Sequence, residues 1–135
     1  MQSYPNVHFK DNIIERMGGS SSLNMLVVSF CENIKDDPSL AQYFGNFAFK
    51  DLSVLEEELL MAALVESEGE NDIQSRRSRV ALRHFRLFES GLNEHHFDRI
   101  SKHLKYALED CWAPEDVIQD CGRHFAGLRP LFEHQ

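Results

Sequence analysis

The stretch RRSRVALRHFRLFESGLNEHHF, residues 76–97, decides the fold because it encodes a helix, a corner and the start of a second helix. Val80, His84 and Phe88 follow one another at intervals of four residues, a spacing typical of one face of an amphipathic α-helix. That face is apolar apart from its imidazole. Gly91 is expected to end the helix, since glycine readily adopts the left-handed backbone conformation found at helix C-termini.

The corner after this helix is set by three residues. Asn93 is expected to cap the next helix, because its side chain can accept hydrogen bonds from free backbone N–H groups. Leu92 precedes the cap and Phe97 lies at the fourth helical position, which is the spacing of a hydrophobic staple. We therefore predict a fixed angle between two helices at this point.

His84 allows two interpretations. A histidine on a packed helix face is either a ligand for iron or a core residue whose ring bonds to a backbone carbonyl. The local pattern favours the core residue, because no nearby side chain specifies a metal site. His95 and His96 do not favour a metal site of their own, since adjacent helical residues point about 100° apart and no HExxH or CxxC motif accompanies them.

Length and charge limit the class of protein. The chain has 135 residues, enough for one domain over residues 1–135 with a loosely ordered lead-in at 1–10. Its net charge is −8, and its one basic cluster, RRSR at 76–79, is most simply a solvated helix face. Nucleic acid is not an expected partner, because no stretch concentrates enough basic residues to follow a phosphate backbone.

We expect a soluble protein in the cytoplasm or another reducing intracellular compartment, without a membrane partner. The amino terminus lacks the basic and apolar segments of a signal peptide. The longest apolar run, residues 59–65, is shorter than the roughly 18 residues that span a bilayer. Cys31, Cys111 and Cys121 form an odd set without metal-ligand spacing, which favours buried thiols over disulfides.

Helical periodicity accounts for the rest of the chain, and no segment shows the sustained alternation of a strand. The central helix is expected to follow an acidic loop at 66–72. Further helices are expected near residues 11–17, 23–34, 51–65, 94–111 and 114–129, with a short turn at 38–44. The predicted fold class is therefore all-α.

Two features in the middle of the chain point to a pocket. GNFAF, residues 45–49, is a connection rich in phenylalanine, and its rings are expected to line a cavity or fill a core. Glu56 falls on the apolar stripe of the following helix, one turn after Leu52. A buried carboxylate there needs a partner or a raised pKa, and the simpler interpretation places Glu56 at the rim in contact with water.

Several segments together resemble the truncated haemoglobins. They are IIERMGG at 13–19, VSFCENIKDDPSLAQYF at 28–44, LLMAAL at 59–64, GLNEHHFDRISKHL at 91–104 and the closing LRPLF. The resemblance covers nearly the whole chain, and it implies a globin-like, two-over-two sandwich of helices around haem b. It also implies binding of oxygen or another diatomic gas, by a carrier, a sensor or an enzyme resembling a nitric oxide dioxygenase.

The resemblance implies roles residue by residue. Phe44 matches the phenylalanine that packs on the porphyrin, and Cys31 stands where the family usually has a distal tyrosine. Leu52 and Glu56 match two other distal positions, and Glu56 would have to be protonated to donate a hydrogen bond to a bound gas. The expected cofactor-contacting set is His84, Phe44, Phe47, Leu52, Leu87 and Phe88, and the expected distal ligand pocket is Cys31, Phe30, Glu56 and Leu59.

The expected iron ligand departs from the family pattern. The usual spacing back from Phe97 reaches Leu87, which cannot bind iron. His84 lies three residues earlier, on the same face of the helix and about 4.5 Å along its axis, so a shifted or lengthened helix would let it serve as the ligand. The alternative is a haem-free globin fold in which Leu87 and nearby phenylalanines fill the pocket, and the domain acts as a sensing or protein-interaction module.

Overall fold

The computed structural model describes residues 8–66 and 69–133, and within these ranges it contains helices but no β-strand. This agrees with the predicted all-α class. The α-helices are α1 (Ile13–Arg16), α2 (Ser20–Lys35), α3 (Ala41–Phe44), α4 (Phe49–Leu64), α5 (Glu70–Glu89), α6 (Glu94–Asp110) and α7 (Glu115–Ala126). Short 3-10 helices lie at Lys10–Asn12, Pro38–Leu40 and Arg129–Phe132.

Four long helices form two layers around one core. Helix α2 packs against α4 and α6, and α7 packs against the same two helices, so the pair α2 and α4 lies over the pair α6 and α7. Their apolar stripes meet in residues that are fully buried, among them Leu26, Phe30, Leu59, Ile100 and Phe125. Helix α5 lies beside this sandwich, where it packs on α4 and contacts the 3-10 helix Arg129–Phe132.

The C-terminus of α5 closes as the sequence predicts. Gly91 has a φ of +108°, in the left-handed region that favours glycine. The N–H groups of Leu92 and Gly91 donate to the carbonyls of Leu87 and Phe88, each at 3.0 Å, which is the hydrogen-bond pattern of a Schellman motif. These bonds satisfy carbonyls that would otherwise lack partners at the helix end.

The N-terminus of α6 begins directly after this motif. The Asn93 side chain accepts a hydrogen bond from the N–H of His95 at 2.9 Å, and the N–H of Asn93 donates to Nδ1 of His96 at 3.0 Å. Leu92 and Phe97, the predicted staple residues, are both buried. The corner is thus held by hydrogen bonds on both sides, which fixes the angle between α5 and α6.

Two helix boundaries differ from the predicted ones. Helix α5 begins at Glu70, so the second half of the predicted acidic loop forms its first turn. Glu70 and Asp72 suit that position because negative side chains interact favourably with a helix N-terminus. Helix α7 ends at Ala126 rather than near Arg129, because Pro130 opens the final 3-10 helix instead.

The predicted lead-in at 1–10 is described only from His8 onward, and residues 1–7 lie outside the described part of the chain. Phe9 forms an isolated antiparallel bridge with Val65. The N–H of Glu66 donates to the carbonyl of His8 at 2.8 Å. The described end of the lead-in is therefore held against the C-terminus of α4.

The described helices include none that is both long enough and apolar enough to cross a membrane. All three cysteines are free thiols. Cys31 and Cys121 are buried as predicted, whereas Cys111 is only partly buried because it lies at the end of α6.

Candidate functional site

His84 lies in the last third of α5 and is fully buried. Its Nδ1 is 2.8 Å from the carbonyl oxygen of Val80, one turn earlier on the same helix. A carbonyl can only accept, so Nδ1 carries the proton and donates, and Nε2 is left as an unprotonated nitrogen with a free lone pair. Nε2 has no hydrogen-bond partner among the described residues.

The protonation state of His84 follows from this environment. Burial lowers the pKa of His84 to about 4, although the hydrogen bond to Val80 acts in the opposite direction. The imidazole is therefore neutral at physiological pH, as a metal ligand must be. A buried lone pair without a donor costs about 1–3 kcal/mol, which makes it a conspicuous feature in a packed protein.

Aromatic rings hold the His84 ring in place. It stacks on Phe88 at a centroid distance of 5.8 Å, and Phe132 approaches its edge at 5.5 Å. Phe132 belongs to the closing LRPLF segment and was not among the predicted site residues. The resemblance did include this segment, but its contact with a residue 48 positions away required the folded chain.

The aromatic contacts continue from this site into the core. Phe132 packs against Phe97 at 4.8 Å, Phe97 stacks on Phe125 at 5.0 Å, and Phe125 meets Phe30 edge-on at 6.1 Å. Phe30, a predicted distal residue, therefore contacts this aromatic cluster. The cluster connects the surroundings of His84 to α2 through continuous packing.

Glu56 on α4 is fully buried, and the expectation that it sits at the rim in contact with water is wrong. Neither carboxyl oxygen has a hydrogen-bond partner among the described residues. Burial raises the pKa of Glu56 to about 8, because an ionised carboxylate loses its hydration without gaining a counter-ion. Glu56 is therefore a neutral acid at pH 7, with a hydroxyl that can donate.

Cys31 lies close enough to Glu56 for the two groups to interact electrostatically. Burial and the negative charge that Glu56 can carry raise the pKa of the Cys31 thiol to about 12, despite a hydrogen bond with the side chain of Ser53. A thiol with so high a pKa stays protonated and is a poor nucleophile. Cys31 therefore contributes volume and a weak S–H donor at this position.

The other predicted residues divide into buried and partly exposed groups. Phe44, Leu52 and Leu59 are fully buried. Phe47 is partly buried with its ring 5.9 Å from that of Phe44, and Phe88 and Leu87 are also partly buried. Of the two rings in the connection 45–49, Phe47 packs against the core as predicted. Phe49 begins α4 and is 39% exposed, so the expectation that its ring lines a cavity or fills a core is wrong.

Leu87 and His84 face different surroundings although they lie within one turn of α5. Leu87 lines a cleft of about 610 Å³ between α5 on one side and α3 with the segment that follows it on the other. Tyr43 and Phe47 line the same cleft. His84 is buried on the side of α5 that meets the core. Three residues along a helix correspond to a rotation of about 300°, so the two side chains are offset by about 60° around the axis.

A buried ionised carboxylate, Asp37, lies outside this site and was not predicted from the sequence. Asp37 accepts hydrogen bonds from Nε of Arg99 at 2.9 Å, Nε2 of His103 at 2.6 Å, and the N–H and hydroxyl of Ser39 at 2.9 and 2.8 Å. Burial acts to raise the pKa of Asp37, but these bonds hold it well below its usual range. The cluster ties the turn after α2 to α6, which is a structural role.

Within residues 8–66 and 69–133, no group of three or more His, Cys, Asp and Glu side chains could hold a metal ion by itself. An iron site in this part of the chain therefore needs ligands from another source. His84 supplies a single imidazole, and a porphyrin supplies the four nitrogens that would complete such a site.

Comparisons with known proteins agree with one another. A family model described as bacterial-like globin matches residues 12–129. The group 1 truncated hemoglobin GlbN of Synechocystis sp. is 27% identical over 109 residues, covering 80% of this chain and 84% of GlbN. The solved structure of Chlamydomonas reinhardtii THB1 has a TM-score of 0.71 and 29% identity, covering 91% of this chain and 97% of THB1. THB4 of the same organism has a TM-score of 0.72 at 22% identity, covering 90% and 94% of the two chains, and shows the shared fold.

Proposed function

Because the chain belongs to the bacterial-like globin family, we propose that it binds haem b, with His84 as the axial ligand, and through it a diatomic gas. The similarity to truncated haemoglobins and the two-over-two helical fold are both confirmed by the family match and the structural neighbours. The identity of the cofactor, its ligand residue and the gas are our proposals.

One observation carries the proposal. The Nε2 atom of His84 is buried, unprotonated and unpartnered, while Nδ1–H is fixed by the Val80 carbonyl. A hydrogen bond from the second ring nitrogen is the usual way in which proteins set the tautomer and orientation of a metal-binding histidine. The two interpretations of His84 are therefore compatible, since the carbonyl bond itself leaves Nε2 available to iron.

The surrounding side chains suit a large flat apolar group. Phe44 and Leu52 are fully buried apolar side chains and Phe88 is partly buried, while Phe47 and Leu87 line the cleft of about 610 Å³. When bound, haem supplies an iron that takes up diatomic gases such as oxygen, nitric oxide or carbon monoxide. In that complex His84 would supply an imidazole ligand, and the apolar side chains around it would line the site and exclude water.

Glu56 would be the polar group on the distal side. Its neutral carboxyl can donate one hydrogen bond. It would take the place of the distal tyrosine hydroxyl usual in truncated haemoglobins, because residue 31 of this chain is cysteine. Cys31, Phe30 and Leu59 bound this side with small or apolar groups. Above about pH 8 the ionised Glu56 would lose its donor, so the hydrogen bond to a bound gas would be lost as pH rises.

The haem-free alternative receives no specific support. It requires Leu87 and nearby phenylalanines to fill the pocket, whereas Leu87 is only partly buried and lines an open cleft. We retain gas binding as the proposed function and make no choice among carrier, sensor and enzyme. The free thiols and the family also favour our proposal of a reducing compartment such as the cytoplasm.

The test is an absorption titration of the apoprotein with hemin. We expect stoichiometric binding with a sharp Soret band that shifts on reduction and on addition of carbon monoxide. His84→Ala should weaken hemin binding by about 100-fold or more, since the iron loses its protein ligand. His95→Ala, a change at an exposed histidine on α6, should bind as the unaltered protein does.

Added imidazole should restore the Soret spectrum of His84→Ala, because the free ligand can occupy the space of the lost ring. Equal spectra for the unaltered protein and His84→Ala would refute the assignment of the ligand. Weak and featureless binding by all three proteins would refute haem binding itself.

A further inference from the structure

The outward side of α5 combines positive charge with exposed apolar groups. We call Arg79, Leu82, Arg83, Phe85 and Arg86 the arginine face. Helix α5 carries five of the nine arginines in the chain, and no Asp or Glu lies between residues 72 and 89. Since the whole chain has a net charge of −8, this face is a local exception on an acidic protein.

The residues of the arginine face lie together because of helical spacing. Arg79, Leu82, Arg83 and Arg86 follow the pattern i, i+3, i+4, i+7, and Phe85 adjoins Leu82 one turn later. Leu82 is 77% exposed and Phe85 is 54% exposed. Large apolar side chains so exposed and rimmed by charge are typical of interaction sites.

The charges of this face are incompletely neutralised. Arg83 pairs with Glu58 of α4 at 3.1 Å. Arg79 and Arg86 are exposed, and within residues 8–66 and 69–133 neither has an ion-pair partner. A negatively charged surface would therefore gain two new ion pairs here without breaking existing ones.

The arginine face also reaches the proposed haem site. Leu82, Arg83, Phe85 and Arg86 line the cleft of about 610 Å³ together with Tyr43, Phe47 and Leu87. Phe47 and Leu87 belong to the predicted cofactor-contacting set. The cleft thus lies between the exposed arginines and the place where we expect the edge of the haem.

We propose that the arginine face docks an acidic electron-transfer protein that reduces the haem iron, an inference that rests on the proposed function. If haem is bound, one electron would pass from the reduced flavin of such a donor, which would be oxidised, to ferric haem iron, which would become ferrous. No atom is transferred. Oxygen and carbon monoxide bind ferrous haem iron, so a site whose iron becomes ferric would need such a donor before it could bind them again.

Charge complementarity selects an acidic protein as the occupant. Basic and acidic patches steer association and set the orientation of the complex, and this effect weakens as salt screens the charges. A concave cleft beside Leu82 and Phe85 can receive apolar side chains of a protein partner. A flat anionic membrane cannot fill that cleft.

The test uses flavodoxin, a small acidic flavoprotein, as the probe. Its binding to apoprotein and to hemin-loaded protein is measured by calorimetry between about 20 and about 200 mM salt. Arg79→Glu with Arg86→Glu is the test variant, because neither arginine has an ion pair to lose with any residue that the structure describes. Lys102→Glu with Lys105→Glu on α6 is the control, with the same change in net charge at another exposed surface.

We expect the unaltered protein and the control to bind flavodoxin, with affinity falling as salt increases. The arginine variant should bind at least about tenfold more weakly, because like charges then face each other. In stopped flow, reduction of the hemin-loaded protein by reduced flavodoxin should slow by a similar factor, whereas reduction by dithionite should stay fast. Leu82→Ser with Phe85→Ser should also weaken binding.

Absent binding, or equal binding by the arginine variant and the control, would overturn the proposal. So would arginine-dependent binding to phosphatidylserine vesicles in place of flavodoxin, or self-association in sedimentation that is lost in the arginine variant. If hemin does not bind, the proposed function fails and the electron-donor role fails with it, whatever the flavodoxin titration shows.

Discussion

At the scale of single residues, Glu56 and His84 are both buried without their full complement of hydrogen bonds. Each group loses hydration in the fold, which raises the pKa of Glu56 and lowers the pKa of His84. Both shifts favour the neutral form of the side chain. A packed core gains nothing from either group. Their presence on α4 and α5, which pack together, is explained if His84 binds a cofactor and Glu56 donates a hydrogen bond to its gas ligand.

The unfolding free energy of the apoprotein should depend on both groups. The folded pKa of Glu56, about 8, lies above its ordinary value, so its stabilising contribution is complete at low pH and is lost as pH rises to about 8. The folded pKa of His84, about 4, lies below its ordinary value of 6.5. The contribution of His84 to the unfolding free energy is therefore complete above about pH 6.5 and is lost as the pH falls to about 4.

The Glu56→Gln variant separates these effects. Of these two groups, only Glu56 titrates differentially between about pH 6.5 and 8, and through it the unaltered apoprotein should lose up to about 1.4 kcal/mol per pH unit. Glu56→Gln should show a nearly flat profile over this range, and below about pH 6.5 it should lose stability through His84. Urea unfolding at several pH values provides the measurement.

Glu109→Gln, at an exposed position on α6, serves as the control and should keep the slope of the unaltered protein. The slope is the relevant quantity, since a buried glutamine can change the absolute stability by itself. An unchanged slope in Glu56→Gln would show that Glu56 is ionised in the folded protein at neutral pH.

At the scale of elements, α5 is positioned from its C-terminus. Its end is closed by the Schellman motif at Gly91, and α6 starts two residues later with the Asn93 cap. His84 lies only two turns before this corner. The direction of the imidazole therefore depends on backbone hydrogen bonds as well as on side-chain packing.

Gly91→Ala should destabilise the fold by about 1–2 kcal/mol, because a Cβ is strained at a φ of +108°. The added carbon would also lie 3.3 Å from the hydroxyl of Tyr43. We expect weaker hemin binding as a consequence, since the corner that orients α5 is disturbed. Chemical denaturation and the hemin titration measure the two effects.

Gly122→Ala provides the contrast. A Cβ at Gly122 would meet no atom within 4 Å, and the position is inside α7. Alanine there should stabilise the protein by about 0.5–1 kcal/mol because it restricts the unfolded chain and favours the helix. Equal effects of the two substitutions would show that the left-handed conformation of Gly91 has no special role.

At the scale of the whole molecule, the two layers form a core without α5. Helices α2, α4, α6 and α7 pack against one another, whereas α5 contacts α4 and the closing 3-10 helix. The proposed cofactor would lie between this helix and the sandwich. Binding should therefore stabilise the attachment of α5 to the rest of the fold.

Hemin should raise the melting temperature of the protein through this linkage. At a free hemin concentration about 100 times the dissociation constant, the stabilisation is about 2.7 kcal/mol. For a domain of this size, that corresponds to a shift of roughly 10 °C. Differential scanning calorimetry should show the shift in the unaltered protein and little or none in His84→Ala. A shift of equal size in both would indicate hemin binding elsewhere.

The sequence alone was sufficient for the helices, the α5–α6 corner and the family. Helical periodicity is a local property, so the stripe through Val80, His84 and Phe88 and the terminators Gly91 and Asn93 predict their structure from neighbouring residues. The family follows from the order of several such segments. The start of α5 was misplaced because its first turn is polar and lacks an apolar stripe.

Only the tertiary structure decided the state of the site. Periodicity cannot tell whether Glu56 lies at a rim or in a core, because that depends on which element covers it. Nor can it distinguish His84 from Leu87 as the residue facing the core, since they share one side of α5. The contact with Phe132 joins segments far apart in the chain. Burial and orphaned hydrogen-bonding groups arise from packing between elements, so they exist only once the chain has folded.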